Sequence, residues 1–196
     1  MLQQTQKDMV NAMLSAIGGS TIQQIDLSHP DVQLALDLFD ENSLSVQGIG
    51  WWFNTEVHQL VMDARTGEVF LPPNTISIDN KYVNVVKRGR VLYNIDTFTT
   101  IFPSTTTAAE LLTVCVRYWE LEELPPLVYM YVLLKTKLAI VNDRDAEPNK
   151  IRDLEIAIQN ALVLVQREQL EYSDPNNQQV GNAALMLQRQ PIRRVI

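Results

Sequence analysis

Apolar positions recur at helical spacing over the first fifty residues. Met9, Ala12, Met13, Ala16 and Ile17 predict a helix over residues 5–17, closed by Gly18-Gly19. A connecting loop, residues 20–28, follows. Ser28 is then placed to cap a second helix whose first turn holds Pro30 and Asp31. Its apolar stripe is Val32, Ala35, Leu36, Leu38, Phe39 and Leu44, and Gly48 and Gly50 end it.

Over residues 52–100 the spacing changes. Short β-prone runs alternate with turn residues. WFNTEVHQLVM is expected to start a strand, and ARTG before EVFLP reads as a turn. TISIDNKYVNVVKRGRVLYNID predicts two hairpins. In the first, Thr75, Ile76 and Ile78 face Tyr82, Val83 and Val85 across Asp79-Asn80. In the second, Arg88-Gly89 turns VNVVK back into VLYNI. Leu112 to Trp119, rich in β-branched and aromatic residues, predicts the last strand.

Helical spacing then returns. Pro125-Pro126 opens a long helix, because a first-turn proline forfeits no needed N–H. Glu120, Glu122 and Glu123 precede its positive end. A fourth helix is predicted from about Asn149 to Glu171. Ile151, Leu154, Ile158, Leu162 and Val165 form its stripe, widened by Ala157, Ala161 and Leu164, a width that suits more than one neighbour. From Ser173 the pattern collapses into polar residues with Pro, Gly and Asn breakers, yet the chain ends on Ile192, Val195 and Ile196. Such a tail either orders on a partner or stays disordered.

These elements predict an α+β fold: a four-helix bundle-like core with an inserted antiparallel β-domain and an extended C-terminal tail. The helical bundle domain takes residues 1–50 and 120–172, the β-rich insert 51–119 and the tail 173–196.

Charge adds a polarity. The 196 residues carry a net charge of −7. The tail contributes Arg189, Arg193 and Arg194 against Asp174, so a basic tail follows an acidic body. That balance disfavours a broad phosphate-binding face. The dense positive cluster in the body is Lys87-Arg88-Gly89-Arg90, expected at an exposed hairpin tip that contacts an acidic partner or nucleic acid. The single cysteine, Cys115, cannot form an internal disulfide, and no run reaches the roughly 18–20 apolar residues of a membrane span. A reducing, aqueous compartment is expected.

Candidate chemistry is sparse. His29 and His58 lie on different elements with no metal-ligand spacing. The acidic run Asp143–Glu147 echoes the start of a calcium loop, but Pro148 stands where glycine makes the turn and Leu154 where the bidentate Glu belongs. Asp37, Asp40 and Glu41 share one helical face, more simply a solvated face than an acid–base pair. Cys115, inside an apolar strand, reads as buried and inert. No cofactor, metal or catalytic residue is expected.

The stretch GIGWWFNT, Gly48–Thr55, holds two of the three tryptophans. A core plug, a ligand platform and a subunit anchor compete to explain it.

Here a resemblance enters. The chain resembles the tail tubular protein A family of short-tailed phages over about residues 5–172. The landmarks are LSAIGG followed by STIQQIDLSHPDV; GIGWWFNTE, similar to a Gly-Trp-x-Phe-Asn-x-Glu signature at Gly50, Trp51, Phe53, Asn54 and Glu56; GRVLYNIDTFTTIF in the β-rich part; and RYWELEELPPLVYMYVLLKTKLA before a long charged helix. The family's middle signature position varies, and the tail does not align.

The resemblance implies a structural virion protein of the tail, without catalysis, assembled in the host cytoplasm. Copies, usually twelve, form a ring between the portal protein and the tail nozzle, a tail tubular protein B-like protein. The ring extends the DNA channel and supports nozzle and fibres. DNA passes through without specific binding. In such a subunit, Gly48, Gly50, Trp51, Trp52 and Phe53 would form the joint between helical bundle and insert. Extended backbone there would turn Trp51 and Phe53 into the core and Trp52 toward a neighbour or the insert. Arg189, Ile192, Arg193, Arg194, Val195 and Ile196 would supply the tail contacts. The rival reading is a soluble phage-encoded binding module acting on a host partner.

Overall fold

Four helices begin and end close to the punctuation that the sequence supplies. The computed structural model describes residues 2–144 and 147–172, with helices α1 (Leu2–Ala16), α2 (Pro30–Gln47), α3 (Pro126–Asp143) and α4 (Pro148–Tyr172). Between α2 and α3 lie five strands: β1 (Thr55–Gln59), β2 (Thr75–Asn80), β3 (Val85–Arg88), β4 (Val91–Asn94) and β5 (Leu112–Arg117). The architecture is α+β, with antiparallel sheets. The chain divides into two compact units. One holds Met1–Ile49 and Trp119–Glu168; the other holds Gly50–Tyr118 and the chain from Gln169.

In the helical unit, α1, α2 and α3 pack against one another. α1 buries Met9, Val10, Met13 and Leu14, so its inner face includes Val10 and Leu14 beyond the expected stripe. Asn11, which breaks the apolar run, has a structural task. Its side chain accepts from Ile22 N–H (2.7 Å) and donates to Ile22 O (3.1 Å), pinning the loop to the helix. α2 buries Val32, Ala35, Phe39 and Val46. The expected cap at Ser28 is corrected. His29 takes the N-cap without a side-chain bond, while Ser28 is tied back to Asp26, its N–H donating to the carboxylate (2.9 Å). Those Ser28 bonds hold the Asp26 carboxyl below its ordinary pKa. Glu120 and Glu123 do not lead directly into α3; they cap a 3-10 turn, Leu121–Glu123, ahead of it. α3 buries Val128, Tyr131, Val132, Ile140 and Val141. α4 buries only the centre of its expected stripe, Ile158, Ala161 and Val165, and leaves Leu164 exposed.

In the β unit, β5 is the central strand of the order β1-β5-β2, antiparallel on both sides. The first predicted hairpin is therefore corrected: β2 pairs with β5, about thirty residues on, not with the chain that follows it. Asn80 redirects the chain. Its Oδ1 accepts from Tyr82 and Val83 N–H (2.9 and 3.0 Å), while its Nδ2 donates to Glu110 O (2.9 Å) and Thr113 Oγ1 (3.0 Å). The side chain thus closes a turn and ties it to the sheet, leaving β2's edge to β5. The second hairpin forms, β3 on β4, with Arg88 opposite Val91 around Gly89-Arg90. Leu60, Val69, Leu71, Leu92, Phe102, Leu111 and Cys115 make this unit's core.

Candidate functional site

The chain leaves the helical unit after Ile49 and returns to it at Trp119. Two buried amide side chains hold the strands of chain that run to these crossings, one in each unit.

In the helical unit the amide is Gln47, the last residue of α2, which is 0% exposed. Its Oε1 accepts from Trp119 N–H (2.8 Å), and its Nε2 donates to Trp119 O (2.9 Å) and Ser43 Oγ (2.9 Å). One side chain thereby mimics a strand partner for the returning backbone. In the β unit the amide is Asn54, also 0% exposed. Its Oδ1 accepts from Trp51 N–H (2.8 Å), and its Nδ2 donates to Arg117 O (2.8 Å). Arg117 N–H in turn donates to Asn54 O (2.8 Å). Both devices give hydrogen-bond partners to backbone groups at least partly withdrawn from water.

The turn at Asn54 also sets the rings. Residues 52–54 form a turn, so the expected alternation of an extended stretch is corrected. Trp51 is buried at 6% exposure, but Phe53 is only partly buried. Trp52 is partly buried too. Its ring stacks on Tyr172, with centroids 5.6 Å apart and planes 9° apart, and its edge contacts involve Trp51 and Phe53. Its backbone N–H donates to Gln169 Oε1 (2.9 Å). Gly48 caps α2, donating to Leu44 O (2.9 Å), and Gly50 takes a left-handed φ of 81° just before the ring cluster.

Glu56 follows on β1. It accepts from Arg117 Nη1 at 3.3 Å and lies 2.7 Å from His58 Nε2, a partly buried cluster on the sheet. Cys115, opposite Glu56 on β5, is fully buried, and burial pushes its thiol up to about 11. Such a thiol is a poor nucleophile at neutral pH.

Lys87, Arg88, Gly89 and Arg90 are all exposed at the β3–β4 turn. The Arg88 guanidinium lies 3.6 Å from the Tyr93 ring centroid, and Lys87 Nζ donates to Thr75 O. The expected tail contacts Arg189, Ile192, Arg193, Arg194, Val195 and Ile196 lie outside the described residues. Among the described residues no group of three or more His, Cys, Asp or Glu could hold a metal ion, and no helix is long and apolar enough to cross a membrane.

Gln47, Arg117, Trp119 and Tyr172 escaped the sequence reading: a buried amide in a helix looks like any polar residue, and the other three act through partners distant in sequence. Asn54 and Glu56 were visible only as signature positions. The family model described as "Tube: Tail tubular protein" matches residues 7–175. A search of curated proteins gives no match.

Proposed function

The chain belongs to the tail tubular protein family, structural proteins of phage tails, and on that premise we propose that it is the adaptor between portal and tail nozzle. Copies of the chain, twelve in the usual family arrangement, form a ring under the portal protein. The ring continues the DNA channel and gives the nozzle protein and the tail fibres a platform. The protein acts by position alone, with no catalysis and no cofactor. Its surface is suited to a channel wall that does not grip DNA, because a net charge of −7 repels phosphates during genome ejection. It resides in the virion tail after assembly in the host cytoplasm.

The observation that carries this reading is the family match across residues 7–175, which takes in both units. Gln47 and Asn54 each tie distant backbone within their own unit, which suits a part whose task is mechanical. On the same reading the basic tail docks on the portal or the next copy. The test mixes this chain with the portal protein of the same genome and measures mass by light scattering after size exclusion. A complex heavier than portal by a fixed multiple of subunits is the expected result. Separate elution at every salt and concentration would overturn the adaptor role.

A further inference from the structure

The β unit has an outer sheet face on which several large apolar side chains are exposed. Register defines that face. Val86 pairs with Tyr93 and Arg88 with Val91 in the hairpin, and Phe70 bridges to Val91. Glu68, two residues before Phe70, bridges to Ile101. Paired residues and residues two apart share a side, so these seven line one face, with Glu68 and Arg88 the charged members. The opposite face is core: Val69 and Leu92 are 0% exposed, and Leu71 is 3%. A one-sided antiparallel sheet normally alternates apolar-in and polar-out. Here Phe70, Val86 and Ile101 are apolar and exposed at 47%, 42% and 58%. The Arg88 guanidinium covers Tyr93, and Arg90 follows at the rim. Exposed aromatic, aliphatic and arginine side chains on one patch are the composition of a protein–protein contact.

Charge selects the occupant. The helical unit has fifteen Asp and Glu against seven Lys and Arg, net −8, whereas residues 50–118 have six of each. On α2, Asp37, Asp40 and Glu41 surround Leu44 on one exposed side, and Leu44 is itself 50% exposed. An apolar centre with an acidic rim complements an apolar centre with a basic rim.

We propose that the outer sheet face of one copy docks on the α2 face around Leu44 of a second copy. The contact joins two different patches, so it is head-to-tail and can propagate around a closed ring. It rests on the adaptor reading above and assigns the surfaces that the ring would use.

The test uses full-length chains with single added cysteines, Val86→Cys and Leu44→Cys, both at exposed positions, with Cys115 buried and silent. The two variants are assembled on portal together and each alone, then oxidised. Disulfide-linked dimers from the mixture, absent from either variant alone, are expected, and the double variant should give a ladder of higher multimers. A second arm measures incorporation of the Arg88→Glu/Arg90→Glu variant, expected to fall at least tenfold. The fall should be reversed by pairing it with Asp37→Lys/Glu41→Lys copies. Rings that form without cross-links or without charge dependence overturn the docking assignment while leaving the adaptor role intact. No rings with unmodified chain overturn both.

Discussion

Replacing Asn54 by alanine should destabilise the β unit far more than an average polar substitution. The wild-type side chain bonds Trp51 N–H in the interior and Arg117 O at a partly buried position, each at 2.8 Å. Alanine removes both bonds. An unsatisfied buried donor or acceptor costs about 1–3 kcal/mol, so the pair costs roughly 2–5 kcal/mol after some relief from entering water. At about 4 °C per kcal/mol for a unit of this size, Tm should fall by roughly 8–20 °C. The assay is thermal and urea unfolding followed by tryptophan fluorescence, since Trp51 is bonded to the altered site. An Asn54→Asp variant supplies a second view. It retains the acceptor for Trp51 but turns a carboxylate toward the Arg117 carbonyl, so it should be no more stable than the alanine at neutral pH. A loss under about 1 kcal/mol in Asn54→Ala, with unchanged fluorescence, would refute the claim that this amide holds the crossing.

Three further outcomes follow from the same geometry. Trp52 and Tyr172, stacked at 5.6 Å, should show a coupling of about 0.5–1.5 kcal/mol in a double-mutant cycle with alanine, and additive losses would count against the stack. Gly67→Ala should cost about 1 kcal/mol more than Gly89→Ala in urea unfolding. Both have positive φ, but a Cβ at Gly67 would meet Ile101 Cγ2 at 2.9 Å while Gly89 opens onto space. The Cys115 thiol titrates near 11 in the folded chain against an ordinary 9.0, so its burial favours folding fully below pH 9 and that contribution is lost as pH rises toward 11. A Cys115→Ala variant should therefore lose stability less steeply than the parent between pH 9 and 11. Tyr129 and Tyr131, whose pKa values burial also raises, titrate in both proteins and leave the difference to the thiol, so parallel pH profiles would exclude it.

Much of the fold could be read along the chain because its signals are local. Helical spacing of Val32, Ala35 and Phe39 places them on one side of α2 whatever surrounds it, and all three are buried. Within a helix Pro126 fits only the first turn, and α3 starts there. Gly89 with Arg88 needs a tight turn, and the β3–β4 hairpin makes one. The buried cysteine followed from its apolar strand.

What the tertiary structure alone decided concerns partners far apart in sequence. β2 carries a pattern that a hairpin could satisfy, but β5 takes its edge because Asn80 diverts the chain and the sheet offers a better-satisfied ladder. Periodicity says which side of a strand is apolar, not which strand lies beside it. Extended backbone at residues 51–54 would have alternated the rings, yet Asn54 folds them into a turn by bonding Trp51 and reaching Arg117, sixty-three positions on. Gln47 likewise gains its meaning only when Trp119 returns beside α2. The amide side chains of Asn54 and Gln47 have no intrinsic preference for burial. They enter the interior because distant backbone N–H and C=O groups arrive there needing partners, and that arrival is a property of the folded chain.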